Sequence, residues 1–418
     1  MANPIAVADP AFRPRHKKGR PRKEEGKLQV KGNPILHWDH ESLELRGITE
    51  AREGATVYQM KERLHGPFWK NANLVVAQPP IRSSAWKTCR ECPRKFMFKE
   101  RLGLQVAGYE PALFTGDMFH QLMAAIYKGG SLDDLGRILA HLVREQVETL
   151  GELTDTGTGL LPNGRTFTEQ AATVEQDAKL AHAMVLAFFE FYPLETLLKT
   201  YKIVEVEREY AIKVPGLTVP LVIQVDLLLK NLRTNEYWIV DHKTTSLSPK
   251  VRSETMPFEF QPRLYKWVWA SYMDAETPED EPPVKLGGTM HNIVRKPTIR
   301  FCAKDADFDA YVQRVREWYQ EQALKDPNDP PILQSVVRHT GPVLDEELLV
   351  QVHQLNRYST ADLDLCRFYR DDSGCFKFGR KPCPYLPLCR SEHRFQEWPQ
   401  MIQTSYVQSF RPFNSEEE

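Results

Sequence analysis

The amino-acid sequence predicts a mixed α/β fold. Three consecutive runs rich in β-branched and aromatic residues, at 201–214, 217–231 and 236–246, are separated by the turn sequences PG and NLRTN. This pattern favours an antiparallel meander of three strands. Apolar residues at helical spacing precede and follow the strands. With 418 residues, of which 41% are hydrophobic, the chain can bury a sizeable core around such a sheet.

The N-terminal part of the sequence is predicted to lie outside the folded domain. Residues 1–33 are rich in Pro, Lys and Arg and poor in large apolar side chains, so we expect a disordered basic tail. Within it, KKGRPRK at 17–23 resembles an AT-hook, which binds the narrow minor groove of A/T-rich DNA. A solvated tail with nonspecific phosphate affinity is the preferred interpretation. Residues 34–81 form an extension to which the sequence assigns no fold.

The predicted domain spans residues 82–395. Its segment FTGDMFHQLMAAIY carries an apolar helical stripe with His120 at the edge. Residues 285–301 predict a further strand or hairpin, and residues 396–418 are expected to form a C-terminal tail. Helical patterns cover 114–127, 131–150 and 169–192 before the strands, and 258–273, 305–325 and 344–357 after them.

Charge and cysteine content exclude several classes of protein. The 55 Lys and Arg residues nearly balance the 56 Asp and Glu residues, so nucleic acid would have to bind local basic patches. The N-terminus lacks the apolar core of a signal peptide, and no stretch approaches the roughly 20 apolar residues that cross a bilayer. Seven cysteines, an odd number, argue against a disulfide framework. We expect a cytoplasmic protein, bacterial or from a virus-infected host cell, without membrane partners.

The residues that indicate chemistry are Asp226, Asp241 and Lys243. Successive side chains of a strand point to opposite faces, so VDHKT places Asp241 and Lys243 on one face, about 7 Å apart. Asp226, on the preceding strand, can lie beside them. Converging carboxylates suit Mg²⁺ or Mn²⁺, and a neighbouring ammonium group can position water and stabilise phosphoryl charge. The three residues are therefore candidates for phosphodiester hydrolysis.

The alternative is a solvated strand edge with a weak surface ion pair. Against it, both aspartates interrupt strongly apolar runs, LVIQVDLLL and WIVDHK. A carboxylate in such surroundings usually has a partner or a metal ion. We therefore interpret the aspartates as parts of a functional site.

A series of short motifs in this order resembles the PD-(D/E)xK nuclease superfamily, in particular its RecB-like and AddB-like exonuclease branch. The motifs are CPRKF, GDMFH, Glu207, QVD, VDHKTTS and QPRLY. The resemblance covers about residues 82–392, and the order of the motifs is more specific than any one of them. It implies a restriction-endonuclease-like α/β core with a central mixed sheet, helical insertions and a cysteine-ligated metal cluster.

The resemblance also implies roles for the central residues. His120, Asp226 and Asp241 would hold the catalytic metal ion, and Lys243 would be the catalytic lysine.

Three further residues belong to the resemblance. Gln261 and Tyr265 match the family's Q-x-x-x-Y element, and their spacing puts both on one helical face. Glu207 matches a glutamate often found on the strand before the first aspartate. The chain departs from the family at Gln224, where a glycine is usual.

The four-cysteine branch of this family holds a [4Fe-4S] cluster through one cysteine before the nuclease core and three after it. By that pattern the ligands here are Cys92, Cys375, Cys383 and Cys389, the last three in the C-terminal segment 366–392. Four thiolates also suit tetrahedral Zn²⁺.

Zinc is the alternative because Cys89 and Cys92 form a C-x2-C pair, a common zinc spacing, which could combine with Cys383 and Cys389. This pair would leave Cys375 without a role, so we prefer the iron–sulfur cluster. Cys302 and Cys366 are expected to be packing residues.

The predicted function is that of a metal-dependent DNA nuclease acting on single strands or duplex ends. A helicase or recombination protein on another chain would supply unwinding, because the sequence holds no G-x4-GK[ST] motif. A nonenzymatic DNA-binding or assembly protein with a nuclease-like fold is the alternative. Candidate phosphate contacts, interleaved with Phe96 and Phe98, are Arg90, Arg94, Lys95 and Lys99.

Overall fold

The computed structural model describes residues 36–39, 44–47, 72–106, 111–152, 161, 165–338, 342, 344–363, 367–377, 381–391 and 397–409. The chain divides into two units, Met1–Gly66 and Pro67–Glu418. In the first unit, strands β1 (Leu36–Asp39) and β2 (Glu44–Gly47) pair antiparallel. The predicted basic tail and its AT-hook-like segment lie outside the described residues.

A five-stranded mixed sheet forms the centre of the second unit. The described strands of this unit are β3 (Leu104–Val106), β4 (Tyr201–Ile212), β5 (Leu221–Asn231), β6 (Tyr237–Thr245), β7 (Leu286–Arg295), β8 (Ile332–Arg338), β9 (Phe376–Lys377), β10 (Lys381–Pro382) and β11 (Tyr406–Gln408). The central sheet has the order β4-β5-β6-β7-β8. Neighbours are antiparallel except β6 and β7, which are parallel. The predicted meander and the mixed α/β fold are thus confirmed.

Helices surround the sheet. They are α1 (Ser83–Glu91), α2 (Pro93–Phe96), α3 (Pro111–Tyr127), α4 (Leu135–Glu152), α5 (Phe167–Phe191), α6 (Leu194–Thr200), α7 (Pro249–Thr255), α8 (Phe260–Glu276), α9 (Phe308–Lys325), α10 (Glu346–Thr360), α11 (Leu386–Arg390) and α12 (Trp398–Ser405). All six helical patterns read from the sequence are confirmed, with ends shifted by a few residues. None of the described helices has the length and apolar character needed to span a membrane.

Local sequence explains where several elements begin. Thr166 caps α5 together with Glu169 in a reciprocal capping box. Ser248 caps α7, its hydroxyl accepting a hydrogen bond from the backbone N–H of Val251 at 3.1 Å. In the turn between β4 and β5, Gly216 adopts a φ of 84°, which glycine tolerates without steric cost.

The alternation of side chains gives the sheet two different faces. On one face Leu227, Val240 and Met290 are buried in the main hydrophobic core with α3, α5 and α9. On the other, the Tyr237 ring lies 5.4 Å from the Trp269 ring of α8. Because side chains four apart on a strand share a face, Asp241 points to the face that α8 covers.

The C-terminal residues pack against the beginning of the domain. Strand β11 pairs with β3, and the Trp398 ring lies 5.4 Å from the Phe98 ring. Residues 398–408, which the sequence grouped with the C-terminal tail, therefore contribute a helix and a strand to the domain.

Candidate active site

The central strands bring the three chemically informative residues together. Asp226 lies on β5, and Asp241 and Lys243 lie on β6. Leu227 pairs with Val240, and the two strands are antiparallel. Asp226, one residue before Leu227, therefore lies beside Asp241, one residue after Val240. The Asp226 carboxylate accepts a hydrogen bond from the backbone N–H of His242 at 2.7 Å. Both aspartates are therefore fixed at one point of the sheet.

Side-chain donors reach both oxygens of the Asp241 carboxylate, which is 3% exposed. Lys243 Nζ lies 2.7 Å from Oδ1, and Gln261 Nε2 donates to the same oxygen at 2.9 Å. His291 Nδ1 lies 3.2 Å from Oδ2. Gln261 Nε2 also donates to Tyr265 Oη at 3.0 Å, so the Q-x-x-x-Y pair forms a chain of hydrogen bonds ending on Asp241. A buried carboxylate bonded in this way keeps its orientation before any ligand binds.

A group of potential metal ligands lies beside this carboxylate. Ligand atoms of His120, Glu207 and Asp226 all lie within 4.8 Å of one another, and His120 Nδ1 is 3.3 Å from Asp226 Oδ2. Two carboxylates and one imidazole could hold a divalent cation, with Mn²⁺ accepting such a mixture of oxygen and nitrogen ligands. The sequence placed Asp241 in the ligand set and gave Glu207 a neighbouring role. In the structure Glu207 belongs to the converging group, and Asp241 lies outside that group.

The backbone at Glu207 explains how this side chain reaches the group. Glu207 has a φ of 55°, a conformation that residues other than glycine rarely adopt. Its neighbours Val206 and Arg208 pair with Leu227 and Val225, so Glu207 lies opposite Asp226. At Gln224, where the family usually has glycine, the side-chain amide donates to Glu207 at 2.7 Å.

Gly116 allows α3 to approach the sheet closely. A Cβ atom at this position would lie 3.2 Å from Thr244 Oγ1 of β6, which is tighter than an ordinary contact. His120 follows one helical turn later, so the close approach at Gly116 carries the imidazole to Asp226.

The comparison with protein families agrees with this fold and site. The profile of the PD-(D/E)XK nuclease superfamily matches residues 83–390. The chain belongs to this superfamily. A search of curated proteins finds no match. Nucleases of the PD-(D/E)XK superfamily use divalent metal ions, and the chain has the fold and the donor set of such a metal-dependent nuclease.

In the nuclease site, attraction between opposite charges outweighs the effect of burial on the pKa values of Asp241 and Lys243. Burial alone would raise the pKa of Asp241, but Lys243 and His291 lower it overall. Burial alone would lower the pKa of Lys243, but Asp241 and Asp226 raise it overall. At neutral pH the site therefore contains a carboxylate and an ammonium ion rather than their neutral forms.

The other two members of the converging group are also perturbed. Burial and the neighbouring Asp226 raise the pKa of Glu207 to about 6. Burial alone would lower the pKa of His120, but Asp226, through charge and a hydrogen bond, raises it overall. A metal ion would compete with this proton, because a ligating imidazole must be neutral.

Two histidines of the central strands had no role in the sequence predictions. His291 lies on β7 and is 2% exposed, and its contact with Asp241 makes it part of the site. The signal was present, because MHNIV interrupts an apolar strand just as the aspartates do. His242 points to the opposite face and stacks on Tyr127 with ring centroids 5.6 Å apart. Burial lowers the pKa of His242 to about 4, so it is a neutral core residue.

Only some of the four basic residues expected to contact phosphate are accessible to a ligand. Arg94 is 3% exposed, and its guanidinium donates to the backbone oxygen of Phe368, so the expected phosphate contact there is wrong. Lys95 lies 2.8 Å from Glu91. Phe96 and Phe98 are fully buried and belong to the core. Arg90 and Lys99 are exposed.

Backbone contacts bring the cysteines of the C-terminal segment close to Cys92. The hairpin of β9 and β10 places Cys383 beside Cys375, with a backbone hydrogen bond of 2.8 Å between them. A Cβ atom on Gly374 would lie 3.5 Å from Cys92 Cβ. The backbone N–H of Asp371 points at Cys92 Sγ at 3.5 Å.

Electrostatics link Cys389 to the same group. Burial, with smaller contributions from Cys383, Cys92 and Cys375, raises the pKa of Cys389 to about 12 against the lowering effect of Arg94. Burial likewise raises the pKa of Cys89 to about 12, and Cys92 is the neighbouring thiol that adds to this shift.

The two remaining cysteines were not predicted to be ligands. Cys302 is exposed, so the prediction that it packs in the core is wrong. Cys366 lies outside the described residues.

Proposed function

We propose that the protein is a Mg²⁺- or Mn²⁺-dependent DNA exonuclease that acts on strand ends during DNA processing, recombination or repair. The observation that supports this is the convergence of His120, Glu207 and Asp226 next to the Asp241–Lys243 pair. Membership of the PD-(D/E)XK nuclease superfamily adds the reaction class.

The chain's own residues would divide the work. His120, Glu207 and Asp226, with Asp241 alongside, would hold a divalent cation, which would supply Lewis-acid polarisation of the phosphate and activation of water. Lys243 remains charged, because the two aspartates raise its pKa. It therefore stabilises negative charge on the phosphate and orients water by donating hydrogen bonds, rather than removing a proton.

The residues around Asp241 would position it. Gln261 and His291 donate to different oxygens of the carboxylate, so its plane is held from two directions. Tyr265 holds Gln261 in turn. Such supporting contacts keep a reacting group in its productive geometry.

We propose further that Cys92, Cys375, Cys383 and Cys389 hold a [4Fe-4S] cluster. The thiols have the chemistry that an iron–sulfur cluster requires, and three of them act electrostatically on Cys389. Tetrahedral Zn²⁺ would bring the sulfurs to about 3.8 Å from one another. Because four thiolates can hold either group, metal content decides between the cluster and zinc. Iron and sulfide analysis after anaerobic purification tests this, and stoichiometric zinc without iron would contradict it.

The nuclease proposal is tested with end-labelled linear DNA and closed circular DNA, each single-stranded and double-stranded, in Mg²⁺ or Mn²⁺. We expect the wild-type protein to degrade linear DNA and to leave the circles intact. Asp241→Asn should remove the activity, whereas Asp274→Asn, at an exposed position of α8, should retain it.

Other results contradict the proposal. A purified protein that cuts none of these substrates, or an Asp241→Asn variant that cuts at the wild-type rate, would leave the nonenzymatic DNA-binding function as the better explanation. Cleavage of closed circles at the rate of linear DNA would contradict the exonuclease assignment alone.

A further inference from the structure

Exposed apolar side chains form a row in the segment that connects β6 to α8. Leu247, Val251 and Phe258 are 63%, 54% and 81% exposed; they are called the apolar stripe below. Helix α7 continues through Thr255 into a 3-10 turn, Met256–Phe258. Val251 and Phe258, seven residues apart, lie on the same side of this helical segment, and Leu247 lies just before its N-cap residue, Ser248.

The apolar stripe adjoins the proposed nuclease site. It begins four residues after Lys243 and ends three residues before Gln261, and both of these residues bond to Asp241. The position of Arg252, on α7, supports the same placement. Its guanidinium donates to the Glu259 carboxylate at 2.9 Å, and Glu259 is the N-cap residue of α8, two positions before Gln261.

The chemistry of the stripe selects which part of a nucleic acid it can contact. When the phosphate of a DNA strand lies at Asp241 and Lys243, the neighbouring nucleotides of that DNA strand must lie on the surrounding protein surface. Apolar side chains offer phosphates no hydrogen bonds, and the charges of the exposed Lys250 and Glu254 on the same helix offset each other. Bases, in contrast, stack on aromatic side chains whatever their sequence.

We propose that the apolar stripe is a base-stacking surface for single-stranded DNA beside the nuclease site, with Phe258 as its main contact. Bases of an intact duplex are already paired and stacked, so their faces are available only where the strands are separated. The inference rests on the proposed nuclease function and names its substrate class as a single strand or a frayed end.

The test is fluorescence anisotropy with a labelled single strand and a duplex of the same sequence, in EDTA so that binding is measured without cleavage. Phe258→Ala should weaken binding of the single strand about fivefold or more, as expected for a lost base–aromatic stack, and leave duplex binding unchanged. Phe258→Trp should restore it. Leu324→Ala is the matched control, because Leu324 on α9 is equally exposed, at 82%.

The results separate this inference from the nuclease proposal. If the wild-type protein cuts DNA but Phe258→Ala binds the single strand normally, or weakens single-strand and duplex binding equally, the stripe does not stack bases and is covered by something else. If Phe258→Ala selectively weakens single-strand binding while the wild-type protein cuts no DNA, the stripe proposal stands and the nuclease proposal fails. Unchanged melting temperatures of the variants show that the binding data report on folded protein.

Discussion

The carboxylate site and the cysteine region are built in different ways. Asp241 lies on a central strand, and three side chains hold its carboxylate. Cys375 immediately precedes one two-residue strand and Cys383 immediately follows another, and Cys92 faces a backbone N–H from the 367–377 segment. The first region is organised by the sheet itself, whereas the second is assembled from short elements, α2 and, far from it in the sequence, α11 and the hairpin of β9 and β10. A ligand should therefore change activity in the first region and stability in the second.

After Asp241→Asn, the largest effect on cleavage is expected from Lys243→Ala. Loss of a charged donor that stabilises the phosphate should slow cleavage about 10²- to 10³-fold. The protein should stay folded, because Gln261 and His291 still bond to Asp241. Single-turnover cleavage and circular dichroism measure the two effects. Lys202→Ala, at an exposed position of β4, is the control, and equal rates for both variants would show that Lys243 has no part in the reaction.

The cysteine region should respond with stability rather than rate. Cys92→Ser is expected to lose the cluster and to destabilise the domain by on the order of several kcal/mol, as structural metal sites do. Cys89→Ser should keep the cluster, because the contacts with the C-terminal segment are made at Cys92. Iron content and limited proteolysis of 367–391 distinguish the variants. Loss of iron from Cys89→Ser but not from Cys92→Ser would reverse the assignment.

His291 tests how far the carboxylate site depends on its supporting contacts. His291→Ala removes the donor to Asp241 Oδ2, and such a loss typically costs about 10- to 100-fold in metal affinity or activity. His291→Asn keeps an N–H near the position of Nδ1 and should recover most of it. Mn²⁺ binding measured by calorimetry provides a readout independent of cleavage. Equal Mn²⁺ affinity and equal cleavage rates of the Ala and Asn variants would show that the site does not depend on this hydrogen bond.

A smaller effect is expected far from both regions, at His182. Burial lowers the pKa of His182 from 6.5 to about 4, so the unfolded chain binds a proton more readily than the folded one. Stability is therefore lost as pH falls from about 6.5 towards 4. The loss amounts to about 2 kcal/mol between pH 7 and pH 5.

His182→Phe should remove this part of the pH dependence, because a phenyl ring can keep the stacking on Phe308, 5.0 Å away. Denaturant unfolding at the two pH values measures it. His141→Gln, at an exposed position, should unfold with the wild-type pH dependence. If the unfolding free energy of His182→Phe falls between pH 7 and pH 5 as much as that of the wild-type protein, burial of His182 is not the cause.

The sequence predicted what is encoded locally. The two aspartates were recognisable because each interrupts an apolar strand, and the i, i+4 spacing of Gln261 and Tyr265 placed them on one face of a helix. The role of His291 depends on the parallel pairing of β7 with β6, which places it opposite Asp241. Nothing local in the sequence specifies that register.

Two further features were out of reach for physical reasons. The position of Glu207 in the ligand group depends on a positive φ, which the residue type disfavours. Arg94 was misassigned because basic residues between aromatics are typical of nucleic-acid surfaces, whereas its burial depends on a partner 274 residues away. Long-range contacts of this kind are not visible in the pattern of a single segment.

The central claim is that the carboxylate site binds a divalent metal ion and uses it to cleave DNA. The most direct measurement follows single-strand cleavage by one wild-type preparation in EDTA and again after Mg²⁺ or Mn²⁺ is restored, with thermal unfolding recorded in parallel. We predict that cleavage stops in EDTA, returns with the metal ion, and is accompanied by little change in the melting temperature. Cleavage that continues in EDTA, or that never appears with either metal ion, would contradict the claim.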